Sequence, residues 1–134
     1  MGYFSCYPNK SFVSGEFHES KDDCKQSGLS ELSVSMNTPK GEVVLVGCSH
    51  TGVEQIVSET KKYTQYPIEM VYGGFHMLPF NREQTTGLAD QLKNTLEVHK
   101  VAPAHCTGHL ASKILKDLYG DNYIYAGLGE TIYY

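Results

Sequence analysis

The sequence predicts an α/β layer fold, on three observations. Short apolar segments with strand character alternate with segments of helical period, turn residues mark the junctions, and no repeat or low-complexity stretch interrupts the alternation. The predicted order is β, β, α, β, α, β, α, β, β.

The elements follow in chain order. Residues 1–28 form an irregular lead-in with one candidate strand, residues 11–14, and a polar loop at 19–28. Leu32, Val34 and Met36 alternate with Ser33, Ser35 and Asn37, the period-two signature of a half-buried strand. Asn37-Thr-Pro-Lys-Gly41 has turn chemistry. Residues 42–46 form a strand apolar on both faces, so a hairpin is expected. A helix begins near Thr51, where Thr51 and Glu54 fit a capping box. Val53, Ile56 and Val57 supply its apolar stripe, and Lys61 and Lys62 suit its negative end. After Pro67, residues 68–72 form a strand closed by Gly73-Gly74. Leu88, Leu92 and Leu96 recur on one face of a helix over 82–97. A strand at 101–104 precedes a third helix with Ala111, Ile114, Leu115 and Leu118 inward, stopped by Gly120. Strands at 123–126 and 131–134 complete the expectation.

Composition narrows the function. The chain has 134 residues, a usual size for a single domain, and 40% hydrophobic content builds a core. A net charge of −4, with no basic stretch interleaved with aromatics, argues against nucleic acid as the partner. No apolar run is long enough for a bilayer and no signal pattern opens the chain, so it reads as cytoplasmic and not membrane-bound. Cys6 and Cys24 read as ordinary thiols; Cys48 and Cys106 differ, because each lies close to a histidine in a glycine-containing turn.

Three segments share one grammar: a strand ends, small residues follow, then a histidine appears. They are Leu45-Val-Gly-Cys-Ser-His50, Met70-Val-Tyr-Gly-Gly-Phe-His76 and Val101-Ala-Pro-Ala-His-Cys-Thr-Gly-His109. Sites in α/β proteins collect at the C-terminal ends of strands, so His50, His76 and His105 are expected to converge. Singly, such a histidine is more often a hydrogen-bonded loop residue; the coincidence of three raises its significance. Imidazole and thiolate are good ligands for zinc and similar divalent ions.

Gly47-Cys-Ser-His-Thr-Gly52, Gly73-Gly-Phe-His76 and Pro103-Ala-His-Cys-Thr-Gly108 resemble the C-terminal motifs of metallo-β-lactamase-fold hydrolases. The subgroup they look most like is that of archaeal dihydropterin–ribofuranosylaminobenzene phosphate synthase. The resemblance spans about residues 11–134 and implies the C-terminal half of an αββα sandwich, a sheet with helices packed on one face. It implies zinc, or manganese or iron, weakly bound or absent, and metal-activated water acting on an ester, amide or phosphoester. His105 matches the family's last metal-binding histidine. Cys48 stands where the fold places a bridging ligand, with His50 the alternative from the same turn. His76 is the catalytic candidate, as substrate contact, proton shuttle or ligand. Ser14-Gly-Glu16 resembles the subgroup's Gly-Glu segment, near the place where other members hold a further His ligand, which makes Glu16 a candidate ligand or supporting carboxylate. Ser49, Thr107, Gly108 and His109 are candidates to touch substrate or support ligands, Thr107 and Gly108 through the backbone at a helix N-terminus. The His-x-His-x-Asp-His motif, the family's main ligand set, is absent from the sequence. The alternative is therefore an inactive half-domain that forms a homodimer or pairs with a complementary N-terminal half.

Overall fold

The computed structural model describes residues 31–133 and the backbone of residues 9–13 and 16–19. In chain order the elements are β1 (Asn9–Val13), β2 (Glu16–Glu19), β3 (Glu31–Thr38), β4 (Gly41–Val46), α1 (Val53–Thr64), β5 (Ile68–Gly74), α2 (Arg82–Asp90), β6 (Lys100–Ala104) and α3 (His109–Tyr119). The strands form one sheet in the order β2-β1-β3-β4-β5-β6. The expected hairpin is β3–β4, antiparallel, with Thr38 opposite Gly41 and the Thr38 hydroxyl donating to the Gly41 carbonyl at 2.7 Å. β4, β5 and β6 run parallel, joined by helical crossovers.

All three helices pack on one face of the sheet. Val44, Val71 and Val101 from the strands meet Val53, Ile56 and Val57 of α1, Ala89 of α2 and Ala111 and Leu115 of α3. Each such fully buried valine, isoleucine or leucine side chain is worth roughly 1.5–3 kcal/mol relative to exposure. The other face holds Val43, Met70 and Ala102, with Leu45, Ile124, Ala126 and Ile132 packed against them and, among the described residues, no residue from a helix.

A bulge divides β5. Glu42 pairs with Ile68 and Val43 with Met70, so Glu69 is the extra residue. Its buried carboxylate binds the Lys100 ammonium at 2.8 Å and His99 Nδ1 at 2.9 Å. Burial works to raise its pKa, but the hydrogen bonds and charges of Lys100 and His99 outweigh it and hold the carboxyl below its ordinary range.

Several expectations are corrected. β3 alternates as predicted but with the reverse sense: Ser33 and Ser35 are buried, whereas Leu32 and Met36 are 54% and 41% exposed. The helix-facing side is polar here because buried Glu42 takes hydrogen bonds from the Ser35 hydroxyl and the Asn37 amide. Thr51 does not cap α1. Gly52 is the N-cap, and the Thr51 N–H and hydroxyl are drawn instead to Glu31 Oε2, at 3.1 and 3.4 Å. The helix expected over 82–97 ends its α-helical part at Asp90 and finishes as a π turn, Gln91–Thr95. Its start carries a capping box that the sequence reading did not use: the Gln84 N–H donates to Asn81 Oδ1 and the Asn81 N–H to Gln84 Oε1, at 2.9 and 3.0 Å. The strands expected at 123–126 and 131–134 do not form among the described residues. Tyr123 makes an isolated bridge to Val101, after which the chain lays Ile124, Ala126 and Ile132 across the second face instead of extending the sheet edge; Tyr134 lies outside the described residues. The lead-in carries two paired strands, β1 and β2, in place of one.

Candidate metal centre

Chain direction brings the site together. Because β4, β5 and β6 are parallel, the turns after them leave the sheet at the same edge. β3 is antiparallel to β4, so its first residue, Glu31, arrives at that edge too.

The backbone there is strained. Among the described residues, five non-glycine residues have positive φ: Ser49 (60°), Gln65 (60°), His76 (46°), Glu97 (54°) and His105 (51°). Gln65 and Glu97 follow helix ends, where left-handed residues are ordinary. Ser49, His76 and His105 instead lie beyond the ends of β4, β5 and β6, one after each strand. A left-handed backbone costs an ordinary residue about 1–2 kcal/mol. Such strain persists where surrounding structure imposes it, and it concentrates at functional sites.

Gly74 lets the turns close. A Cβ there would lie 2.7 Å from the Gly47 carbonyl oxygen, 2.9 Å from Cys106 Sγ and 3.3 Å from Cys48 Cα. Three backbone N–H groups fasten the turns: Gly74 N–H to the Gly47 carbonyl (2.8 Å), Phe75 N–H to Thr107 Oγ1 (3.2 Å) and Leu78 N–H to the Cys106 carbonyl (3.3 Å).

Two groups of side chains result. In the first, ligand atoms of Cys48, His105 and Cys106 all lie within 4.8 Å of one another. Both cysteines are free thiols, and the Cys106 thiol donates to the Cys48 carbonyl at 3.3 Å. Burial, with Cys48 adding to it, pushes the Cys106 pKa up, against the lowering effect of the backbone at His76 and at Cys106 itself. In the second group, the His50 and His76 rings meet edge to face with centroids 4.5 Å apart. His50 Nδ1 lies 2.6 Å from Glu31 Oε1, an arrangement that fixes the ring's orientation. Burial, then the neighbouring His50 charge, lowers the His76 pKa, while Glu31 opposes the shift.

Beside this pair is a cavity of ≈ 30 Å³ lined by Ser49, His50, Glu54 and His76 among others. Ser49 Oγ and His76 Nδ1 are buried without a hydrogen-bond partner among the described residues. Burial raises the Glu54 pKa, offset in part by its own backbone N–H. The cavity is about the size of one water molecule, and Phe75, Phe80 and Leu88 line it beside these polar side chains.

The remaining candidates separate from these groups. Thr107 is buried and structural: its hydroxyl donates to the Ala104 carbonyl at 2.7 Å and accepts from Phe75. Gly108 is the N-cap of α3 with no side-chain cap, and exposed His109 is the first residue of that helix. Both line an open cleft of ≈ 520 Å³ with His105 and Tyr125. Glu16 begins β2, but its side chain lies outside the described residues, as do Ser14 and Gly15. Sequence reasoning left two residues of the site unassigned. Cys106 carried a signal, its place between His105 and Thr107 in a glycine-containing turn. Glu31 carried none, since only the pairing of β3 with β4 brings it there.

Comparisons with known proteins agree with this architecture. No family model matches the chain. Residues of the chain are 28% identical, over 76% of its length, to 7,8-dihydropterin-6-methyl-4-(β-D-ribofuranosyl)-aminobenzene-5′-phosphate synthase of Methanocaldococcus jannaschii, covering 35% of that protein. An uncharacterized protein of the same organism is 31% identical over 67% of the chain and 33% of its own length. The chain thus spans about a third of the curated relatives it matches. Among solved structures, a metal-dependent hydrolase of the β-lactamase superfamily superposes with a TM-score of 0.65 at 32% identity, over 86% of this chain and 43% of that one. No helix of the described residues is long and apolar enough to cross a membrane.

Proposed function

Because the chain has part of a metallo-β-lactamase fold and is similar to the dihydropterin–ribofuranosylaminobenzene phosphate synthase subgroup, we propose that it supplies one side of the metal centre of a metal-dependent hydrolase. In this reading Cys48 and His105 are ligands to a divalent ion, and the substrate is an ester, amide or phosphoester. The observation that carries it is the set of three strained, non-glycine residues beyond three parallel strands, surrounding thiol and imidazole donors. The donors fit such an ion in chemistry and spacing. Zinc–sulfur and zinc–nitrogen bonds of about 2.0–2.3 Å hold tetrahedral ligands roughly 3.5 Å apart. Donors within 4.8 Å of one another reach that geometry by small side-chain rotations, and His105 is exposed and free to make one. A divalent ion there would lower the pKa of water toward neutrality and offset negative charge developing on the substrate.

The chain's own residues handle the proton. Burial and the neighbouring His50 lower the His76 pKa, which favours the neutral imidazole, the form a general base needs. Glu31 holds His50 in place, and His50 packs on the ring it orients. The open cleft beside His105, Gly108 and His109 gives substrate access, and the free N–H groups at the start of α3 suit an anionic group.

The test is hydrolysis of chromogenic esters and phosphodiesters by the purified chain with added zinc or manganese. Turnover that chelation abolishes and His76→Ala lowers about a hundredfold is expected. A rate indifferent to metal and to His105→Ala would sink the reading.

A second reading, a half-domain that pairs, is favoured by the open sheet face. Leu32, Met36 and Tyr72 are exposed there at 54%, 41% and 37%. In this reading a second copy or a complementary N-terminal half covers them. Light-scattering mass in solution decides it: a dimer that Leu32→Lys dissociates supports a homodimer, and a monomer that acquires no partner half counts against the reading.

A further inference from the structure

We infer that Cys106 is a third protein ligand, and that Cys48, His105 and Cys106 suffice to hold one thiophilic, zinc-class cation without any residue from a second half of the fold. The inference rests on the reading above that Cys48 and His105 bind metal, and adds to it a ligand that the family resemblance does not supply.

The local backbone argues for it. On an extended strand, adjacent residues point to opposite sides, so residues 105 and 106 could not both face Cys48. Here residues 105–107 form a single 3₁₀ turn, and His105 takes φ 51° at its start. Ligand atoms of both residues then lie within 4.8 Å of each other and of the Cys48 thiol. A merely buried Cys106 would not require the residue before it to be strained.

The position of the Cys106 thiol is also fixed from several sides. Its carbonyl accepts from Leu78, the following Thr107 accepts from Phe75, and its sulfur fills the space that a side chain at position 74 would occupy. Two thiolates and a neutral imidazole balance the charge of a divalent cation, which lets a partly buried site form without a residual charge. They leave a fourth tetrahedral position open, as catalytic zinc sites do. Two sulfurs of three donors favour zinc over manganese or magnesium, which prefer oxygen.

X-ray absorption on the zinc-loaded, reduced chain tests the inference without a mutation. Two sulfur ligands at about 2.3 Å and one imidazole are expected. Cobalt(II) titration followed by zinc competition provides the second measurement. Cys106→Ser should lower the sulfur-to-cobalt charge-transfer intensity by about half and weaken zinc at least about tenfold, with an unchanged circular dichroism spectrum. A single sulfur ligand, with Cys106→Ser binding zinc as tightly as the parent while Cys48→Ser and His105→Ala do not, would overturn it and leave the functional reading standing. Failure of the reduced chain to take up zinc would also overturn it, with metal-dependent turnover then judging the functional reading separately. Indifference of zinc binding to all three substitutions would remove both.

Discussion

The two ends of the parallel strands both carry a carboxylate joined to a histidine, and the two pairs sit in opposite surroundings. At the end where β5 and β6 begin, Glu69 is buried and joined to His99 and Lys100. No unpartnered buried side-chain atom is found in that group among the described residues. At the end where β4, β5 and β6 finish, Glu31 holds His50, but His76 and Ser49 keep buried polar atoms without partners among the described residues, and both, like His105, have a left-handed backbone. A carboxylate–histidine pair therefore does not mark a site. Unspent hydrogen-bonding capacity together with local strain does, because folding alone would select against both.

The contrast can be broken by experiment. The largest effect belongs to the satisfied end: Glu69→Ala leaves the Lys100 charge poorly compensated and should cost roughly 3 kcal/mol in urea unfolding, with zinc affinity unchanged. Gly74→Ala, at the other end, drives a Cβ into the Gly47 carbonyl and should cost about 2 kcal/mol while loosening zinc binding, measured by the same unfolding curve and by competition titration. Ser49→Gly has the opposite sign. It relieves φ 60° and removes an unpartnered hydroxyl, so it should stabilise the chain by about 1 kcal/mol in thermal unfolding and reduce turnover. The smallest effect is on pH dependence. Glu69 is held below its ordinary 4.5, so its contribution to stability is complete above that pH and is lost as pH falls through its lower folded value. Glu69→Gln should flatten the acid limb of a stability–pH curve.

Much of this was legible in the sequence, for physical reasons. Periodicity located β3, β4, β5, β6 and three helices, because a layer fold writes its buried faces into the chain. The three His-bearing turns were readable because parallel strands ending in small residues must leave the sheet together. What failed was information that no local window contains. The alternation in β3 gave the right period but the wrong buried face, because Leu32 and Met36 are apolar without being covered. Thr51 looked like a cap because the competing acceptor, Glu31, is twenty residues away. Residues 123–126 had strand composition, but the chain leaves the β6 edge after Tyr123 and spends its apolar residues on the second face. Within the site, histidines were visible as chemistry, while Cys106 was set apart without an assigned place, since its approach to Cys48 depends on a 3₁₀ turn.

The hairpin turn at Pro39-Lys40 is distant from every residue of the site, yet it acts as their ruler. β3 and β4 measure about 20 Å from that turn to the edge where Glu31 meets His50. One residue inserted into the turn would slide the two strands past each other by a step, reverse which side of β3 each residue faces, and carry the carboxylate out of reach of the imidazole. Redesign of this loop, though it touches no donor atom, would be read out as a change in chemistry at the far end of the molecule.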